Sequence, residues 1–126
     1  MTNEITVQDL DLIVRNLYDK GAYHIKRGFQ LGTGTLATAT NHFLEESVEL
    51  QAEVTCNGTY ASIIDKAADV LVVYLHLLYK SGVPLQNVIN TATVKLDQNF
   101  TLDKSKIKTD TPGFTRRARR KIEKVH

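Results

Sequence analysis

The segment from Tyr60 to about Lys80 constrains the fold more than any other part of the chain. Ile63, Ile64, Ala67, Ala68, Val70, Leu71, Val73, Leu75 and Leu78 spread apolar surface over most of the circumference of a helix. Val72-Val73 and other β-branched pairs suit a strand, but the run is too long and lacks strict alternation. Thr59 is a natural cap at its start, and Ser81-Gly82 ends it. A helix apolar on so many sides needs more cover than one four-helix monomer supplies, which predicts a homodimer or homotetramer.

Three further helices follow from the same spacing argument. Thr6, with Asp9 three positions on, resembles a helix start; Leu10, Ile13, Val14 and Leu17 then recur at helical intervals until Gly21. From Tyr23 to Thr35 the periodicity is lost, and Gly28, Gly32 and Gly34 mark a loop. Thr35 or Thr40 opens the next helix, anchored by Phe43, Leu44, Val48, Leu50 and Val54 and ended by Asn57-Gly58. Pro84 suits the first turn of a fourth, which carries Leu85, Val88, Ile89, Ala92 and Leu96 and runs to about Phe100. The expected fold is therefore all-α, an antiparallel bundle of four main helices over residues 1–102.

Composition narrows the setting. One cysteine, Cys56, excludes an intramolecular disulfide and any multi-cysteine zinc site. No apolar run approaches the ~20 residues of a membrane span. With the polar, acidic start Met1–Glu4 and no apolar signal core behind it, these features predict a cytoplasmic protein without membrane contact. The net charge of +2 is a cancellation. Residues 1–102 carry 7 Lys and Arg against 11 Asp and Glu, whereas 103–126 carry 9 against 3. An acidic body thus bears a basic segment: 103–113 reads as a linker or strap, and 114–126 as a tail or short helix.

The chemistry concentrates in Asn41–Leu50. Glu45, Glu46 and Glu49 fall within about a 100° sector of a helix, with Glu53 close by. Such carboxylates repel one another until solvent, a basic partner or divalent cations offset the charge. In the next helix Asp65 and Asp69 share a face in otherwise apolar surroundings, and a carboxylate between Ala68 and Val70 is costly to bury unpaired. Two helices offering carboxylates to one cleft make a hard oxygen site suited to Mg²⁺ or Mn²⁺. Glu45, Glu46, Glu49, Asp65 and Asp69 are its candidate ligands. A soft-metal site is disfavoured by the lone cysteine and four scattered histidines.

The E-E-x-x-E of Glu45–Glu49, the A-A-D-V-L of Ala67–Leu71 and the K-L-x-x-N of Lys95–Asn99 together resemble the MazG-type all-α nucleoside triphosphate pyrophosphohydrolases. That superfamily includes the phosphoribosyl-ATP pyrophosphohydrolases and the dimeric dUTPases. The resemblance spans residues 41–99 and implies an oligomeric helical bundle. It also implies Mg²⁺-dependent cleavage of a nucleoside triphosphate between the α and β phosphates, giving monophosphate and pyrophosphate. It places Glu45, Glu46, Glu49 and Asp69 in the catalytic and metal-binding set, and Lys95 and Asn99 near the substrate phosphates. One departure stands out: the second acidic motif is usually E-x-x-D, and Lys66 occupies the Glu position. Asp65, one residue earlier, is the available substitute, rotated by about 100°. Lys66 instead raises the prospect of a nucleotide binder with weak turnover.

Several residues have two readings. His76, seven after Asp69, either meets the substrate or packs in the core, and His42 pairs with Glu46 or meets substrate. Asn41 and Thr38 are cleft candidates; His24, Lys26, Arg27 and Phe29 offer a cation and a stacking ring before the glycine loop. Gly32–Thr35 lacks the spacing of a phosphate-binding loop. The Arg116–Lys121 cluster suits nucleic acid, a neighbouring subunit's site or simple solubility, and a helical nucleic-acid-binding or adaptor protein is the competing class.

Overall fold

A computed structural model describes residues 4–106. Four α-helices account for most of it: α1 (Val7–Asp19), α2 (Leu36–Thr55), α3 (Tyr60–Lys80) and α4 (Leu85–Asn99). The caps are those the sequence predicts. Thr6 closes a reciprocal capping box with Asp9, and the hydroxyls of Thr35 and Thr59 accept from the amides of Thr38 and Ser62, each at 3.1 Å. Of the two possible starts for α2, Thr35 is used. No helix among the described residues is long and apolar enough to cross a membrane.

The first three helices end alike. Gly21, Asn57 and Gly82 take left-handed backbone, and the next amide returns to a carbonyl five residues back: Ala22 to Leu17, Gly58 to Glu53, Val83 to Leu78. Gly58 is required for another reason as well. A Cβ there would stand 2.7 Å from the Glu53 carbonyl oxygen, so the turn into α3 closes only around a bare backbone.

Contact clustering separates the chain into two compact units, 1–92 and 93–126. The composition-based division at 102/103 lies inside the second. In the first unit α3 is the shared partner of α1 and α2. The α2–α3 pair is antiparallel, as two contacts show. Phe43 meets Tyr74 with ring centroids 5.8 Å apart; further along α2, Glu49 meets Lys66, further back along α3, at 3.5 Å. The α1–α3 contact is aromatic: Tyr18 stacks on Tyr79 at 4.3 Å and meets the edge of His76 at 4.9 Å, and the Tyr79 hydroxyl donates to the Asp19 carboxylate.

One expectation about packing needs correction. It concerns α2, whose semi-buried ridge is Ala39, Phe43, Glu46, Ser47, Leu50 and Glu53, at helical spacing. Leu44 and Val48, expected as anchors, lie off that ridge and are 63% and 53% exposed. On α3, Leu75 is buried, whereas Ile64, Leu71 and Val72 are about half exposed in the single chain. Two helices packed on one side of a helix cannot cover its whole circumference.

The second unit begins within α4. Its last turns carry Lys95 and Asn99, both exposed, and a short 3₁₀ turn follows at Lys104–Lys106. There Asp103 accepts from the Ser105 hydroxyl at 2.7 Å and its amide at 3.0 Å, which holds the carboxyl below its ordinary range. The basic cluster Arg116–Lys121 lies outside the described residues, as does most of the expected strap and tail.

Candidate functional site

The first unit holds a pocket of about 490 Å³ between α2, α3, the end of α1 and the glycine loop. Helical spacing delivers its lining. Thr38, His42, Glu45 and Glu46 follow one another up α2; Asp69, Val73, His76 and Lys80 do so along α3. The loop contributes His24, Arg27 and Phe29 and the run from Gln30 to Thr35.

The loop is built rather than loose. Tyr23 and Gln30 form an antiparallel bridge, and the His24 amide donates to the Phe29 carbonyl at 2.8 Å. Gly28, with φ at +72°, allows the reversal. His24 Nδ1 accepts from the amides of Lys26 at 3.1 Å and Arg27 at 2.9 Å, so its ring is fixed, and it stacks on Phe29 at 5.2 Å. Beyond this turn the Lys80 ammonium donates to the Gly32 carbonyl at 2.8 Å and fastens the loop to α3. The same side chain brings a positive charge to the pocket.

The pocket is also lined by carboxylates, and the antiparallel register explains how they meet. Stepping along α2 from Glu46 to Glu49 corresponds to stepping back along α3 from Asp69 to Lys66. Glu49 is answered by Lys66 at 3.5 Å, whereas Glu46 is answered by another carboxylate, Asp69, whose charge it feels. Glu46 Oε2 is shut off from solvent and has no hydrogen-bond partner. Burial first, then a side-chain hydrogen bond with Glu49 and the charge of that carboxylate, then the charge of Asp69 push the Glu46 carboxyl upward, with Lys66 opposing. Lys66 is pushed upward chiefly by Glu49, with smaller contributions from Asp69 and Asp65.

The candidate ligand set is therefore divided. Glu45, Glu46 and Asp69 line the pocket; Glu49, beside it, pairs with Lys66 and also hydrogen-bonds Glu46, and Asp65 is exposed and does not line it. Among the described residues no three Asp, Glu, His or Cys side chains stand close enough to share an ion. Glu46 Oε2, shut off from solvent and within the field of the Glu49 and Asp69 carboxylates, is nonetheless the kind of oxygen a hard cation would take as a ligand.

His76 lines the pocket, and it packs edge-on against Tyr18. Burial, aided by the charge of His42, holds it below its ordinary value, which favours the neutral ring. The Tyr18 phenol is pushed up to about 12 by burial and by Tyr79, so it remains a hydroxyl. Lys95 and Asn99 belong to the second unit, whereas the residues that line the pocket all belong to the first.

Sequence reasoning missed Lys80, Gln30 and Tyr18. A signal for Lys80 was present: it lies eleven residues after Asp69, three turns along the same face through His76. Nothing local marks Gln30, whose amide nitrogen donates to the Gly21 carbonyl at 3.0 Å across the loop. Comparisons of the chain with protein-family models, characterised proteins and solved structures give no match.

Proposed function

We propose that the chain is a divalent-cation-dependent nucleotide pyrophosphohydrolase that cleaves a nucleoside or deoxynucleoside triphosphate between the α and β phosphates. The observation that carries this reading is the polarity of one pocket. Carboxylates Glu45, Glu46 and Asp69 line it together with cations Arg27 and Lys80 and the stacked Phe29–His24 pair. A flat base matches the aromatic pair, and phosphates match the cations. The carboxylates alone repel a triphosphate, so they suit it only with a counter-cation between.

Glu46 and Asp69 are the residues to hold Mg²⁺ or Mn²⁺, with Glu45 adjoining. The bound ion would supply Lewis-acid polarisation of a phosphoryl oxygen. The chain's own contributions are then distinct. Arg27 and Lys80 attract and orient the phosphates, Phe29 offers a face to the base, and a carboxylate of the trio holds an attacking water by hydrogen bond. His76, kept neutral, offers a polar atom at the wall without adding charge. Lys95 and Asn99 enter this reading through the family resemblance.

Homo-oligomerisation belongs to the same reading. Leu44 and Val48 on α2 and Ile64 and Leu71 on α3 are about half exposed or more, and a second copy would cover them. The Lys66–Glu49 pair favours a second reading, a nucleotide binder of weak turnover, because it removes a carboxylate from cation binding.

The test is incubation of the full chain with a panel of NTPs and dNTPs plus Mg²⁺, with pyrophosphate measured. Release that disappears with chelator and in Glu46→Gln supports hydrolysis. Nucleotide binding without release supports the second reading, and neither binding nor release overturns both.

A further inference from the structure

The stretch from the end of α1 into α2 is charged unlike the rest of the body. From Lys20 to Leu44 it carries Lys20, Lys26 and Arg27 and no Asp or Glu, whereas the remainder of residues 1–102 carries 4 Lys and Arg against 11 Asp and Glu. Tyr23, His24 and Phe29 set aromatic rings among these cations. The turn that carries them is fixed from within. Tyr23 bridges to Gln30, the Gly28 amide donates to the His24 carbonyl at 2.9 Å, and His24 Nδ1 holds the amides of Lys26 and Arg27.

This turn has two sides. His24, Arg27 and Phe29 line the pocket of about 490 Å³, whereas Tyr23, Ile25 and Lys26 do not. Tyr23 is 67% exposed, Ile25 is 99% exposed, and Lys26 is exposed as well. Among the described residues neither the Tyr23 ring nor the Lys26 ammonium has a hydrogen bond, ion pair or ring contact, so the fold employs neither side chain.

A fixed turn that offers an open ring beside cations matches a partner with flat faces and regularly spaced negative charge. Single-stranded nucleic acid is that partner: its unpaired bases stack on rings and its phosphates meet cations, whereas a duplex hides its base faces. An anionic membrane would match the cations too. However, Ile25 is the one aliphatic side chain between Tyr23 and Phe29, and a single such side chain buries too little to hold a lipid surface.

We propose that the outer side of this turn, Tyr23 and Lys26 with the adjoining Arg27, binds single-stranded nucleic acid. A base stacks on Tyr23 and phosphates meet the two cations, so recognition tolerates any sequence. This function goes beyond the pyrophosphohydrolase reading and stands without it.

The test is fluorescence anisotropy of labelled oligo(dT) and oligo(U) with the full chain over a range of salt concentrations. Affinity should fall as salt rises. Tyr23→Ala should weaken binding about tenfold at each salt concentration. Lys26→Gln should reduce the slope of log affinity against log salt by about 0.7, the value of one phosphate contact on a single strand. Thermal melts near that of wild type show that both variants are folded. A variant with Arg116, Arg117, Arg119 and Arg120 changed to Gln separates the turn from the basic cluster, and Tyr23→Ala should weaken binding in that background as well. No binding by wild type would overturn the proposal. So would binding that Tyr23→Ala and Lys26→Gln leave unchanged, or that the four-arginine variant abolishes. Preferential binding to anionic phospholipid vesicles, lost in Ile25→Asp, would overturn it in favour of a membrane. Pyrophosphate release, measured on the same proteins, is read separately from all of these outcomes.

Discussion

The two halves of α3 settle the same problem, polar groups on a buried-facing ridge, in opposite ways. Toward its C-terminus, Tyr79 donates to Asp19, Tyr18 stacks between His76 and Tyr79, and Lys80 closes onto the Gly32 carbonyl. Each polar atom named there is answered by the chain itself. Buried Tyr18, Leu75 and Leu85 lie in or beside this half. Toward its N-terminus Lys66 answers Glu49, Asp69 faces Glu46, and Ile64 and Leu71 look out to solvent. The first half is closed by contacts within one chain, whereas the second leaves carboxylates and apolar side chains open, the places where the proposed ion and second copy would act. A site that must admit a ligand cannot also be the best-packed part of the molecule.

The largest effect should fall on the unfinished half. Glu46→Gln and Asp69→Asn should each lower pyrophosphate release by about 10²–10⁴-fold while leaving the melting transition near that of wild type. A variant that lost activity only by unfolding would erase the contrast between the halves. Next comes the core of the finished half: Leu75→Ala should cost about 2–5 kcal/mol in denaturant unfolding. Leu71→Ala, half exposed in one chain, should cost well under that in dilute protein and more as concentration rises, if a second copy covers it. An equal cost at all concentrations would mean that no partner completes this face.

Smaller changes sharpen the comparison. Thr59→Ala removes the cap that starts α3 and should cost about 1 kcal/mol, with no change in the Tyr18–Tyr79 contact read by near-ultraviolet dichroism. The smallest effect is on pH dependence. Burial and His42 hold His76 below its ordinary 6.5, so the unfolded chain takes up its proton more readily than the folded one. Its contribution to stability is therefore complete above about 6.5 and is lost as pH falls through the lower folded-state value. His76→Phe should flatten that part of the stability curve. An unchanged slope would place the titration elsewhere.

Much of the fold was legible because its signals are local. Capping hydroxyls at Thr6, Thr35 and Thr59 and terminators at Gly21, Asn57 and Gly82 bracket apolar periodicity, and the helices follow within a residue or two. The inner face of α2 was not legible. Hydropathy points to Leu44 and Val48, whereas the ridge that meets α3 carries Glu46 and Glu53, because the partner helix offers Lys66 and Asp69 in place of a plain apolar groove. The acidic residues of the pocket were found by composition of a face. Its cationic wall was not, since Lys80 reaches the loop across 48 residues of sequence and Gln30 acts through a turn that periodicity does not register.

The contact between Tyr79 and Asp19 has a consequence for how the chain folds. Its partners stand sixty residues apart, whereas α2 and α3 meet across a turn of a few residues. Closing the longer span sacrifices more chain entropy, so the α2–α3 hairpin forms early and α1 docks onto it late. Tyr79→Phe should therefore speed unfolding while leaving the folding rate nearly unchanged, the signature of a bond made after the barrier is crossed.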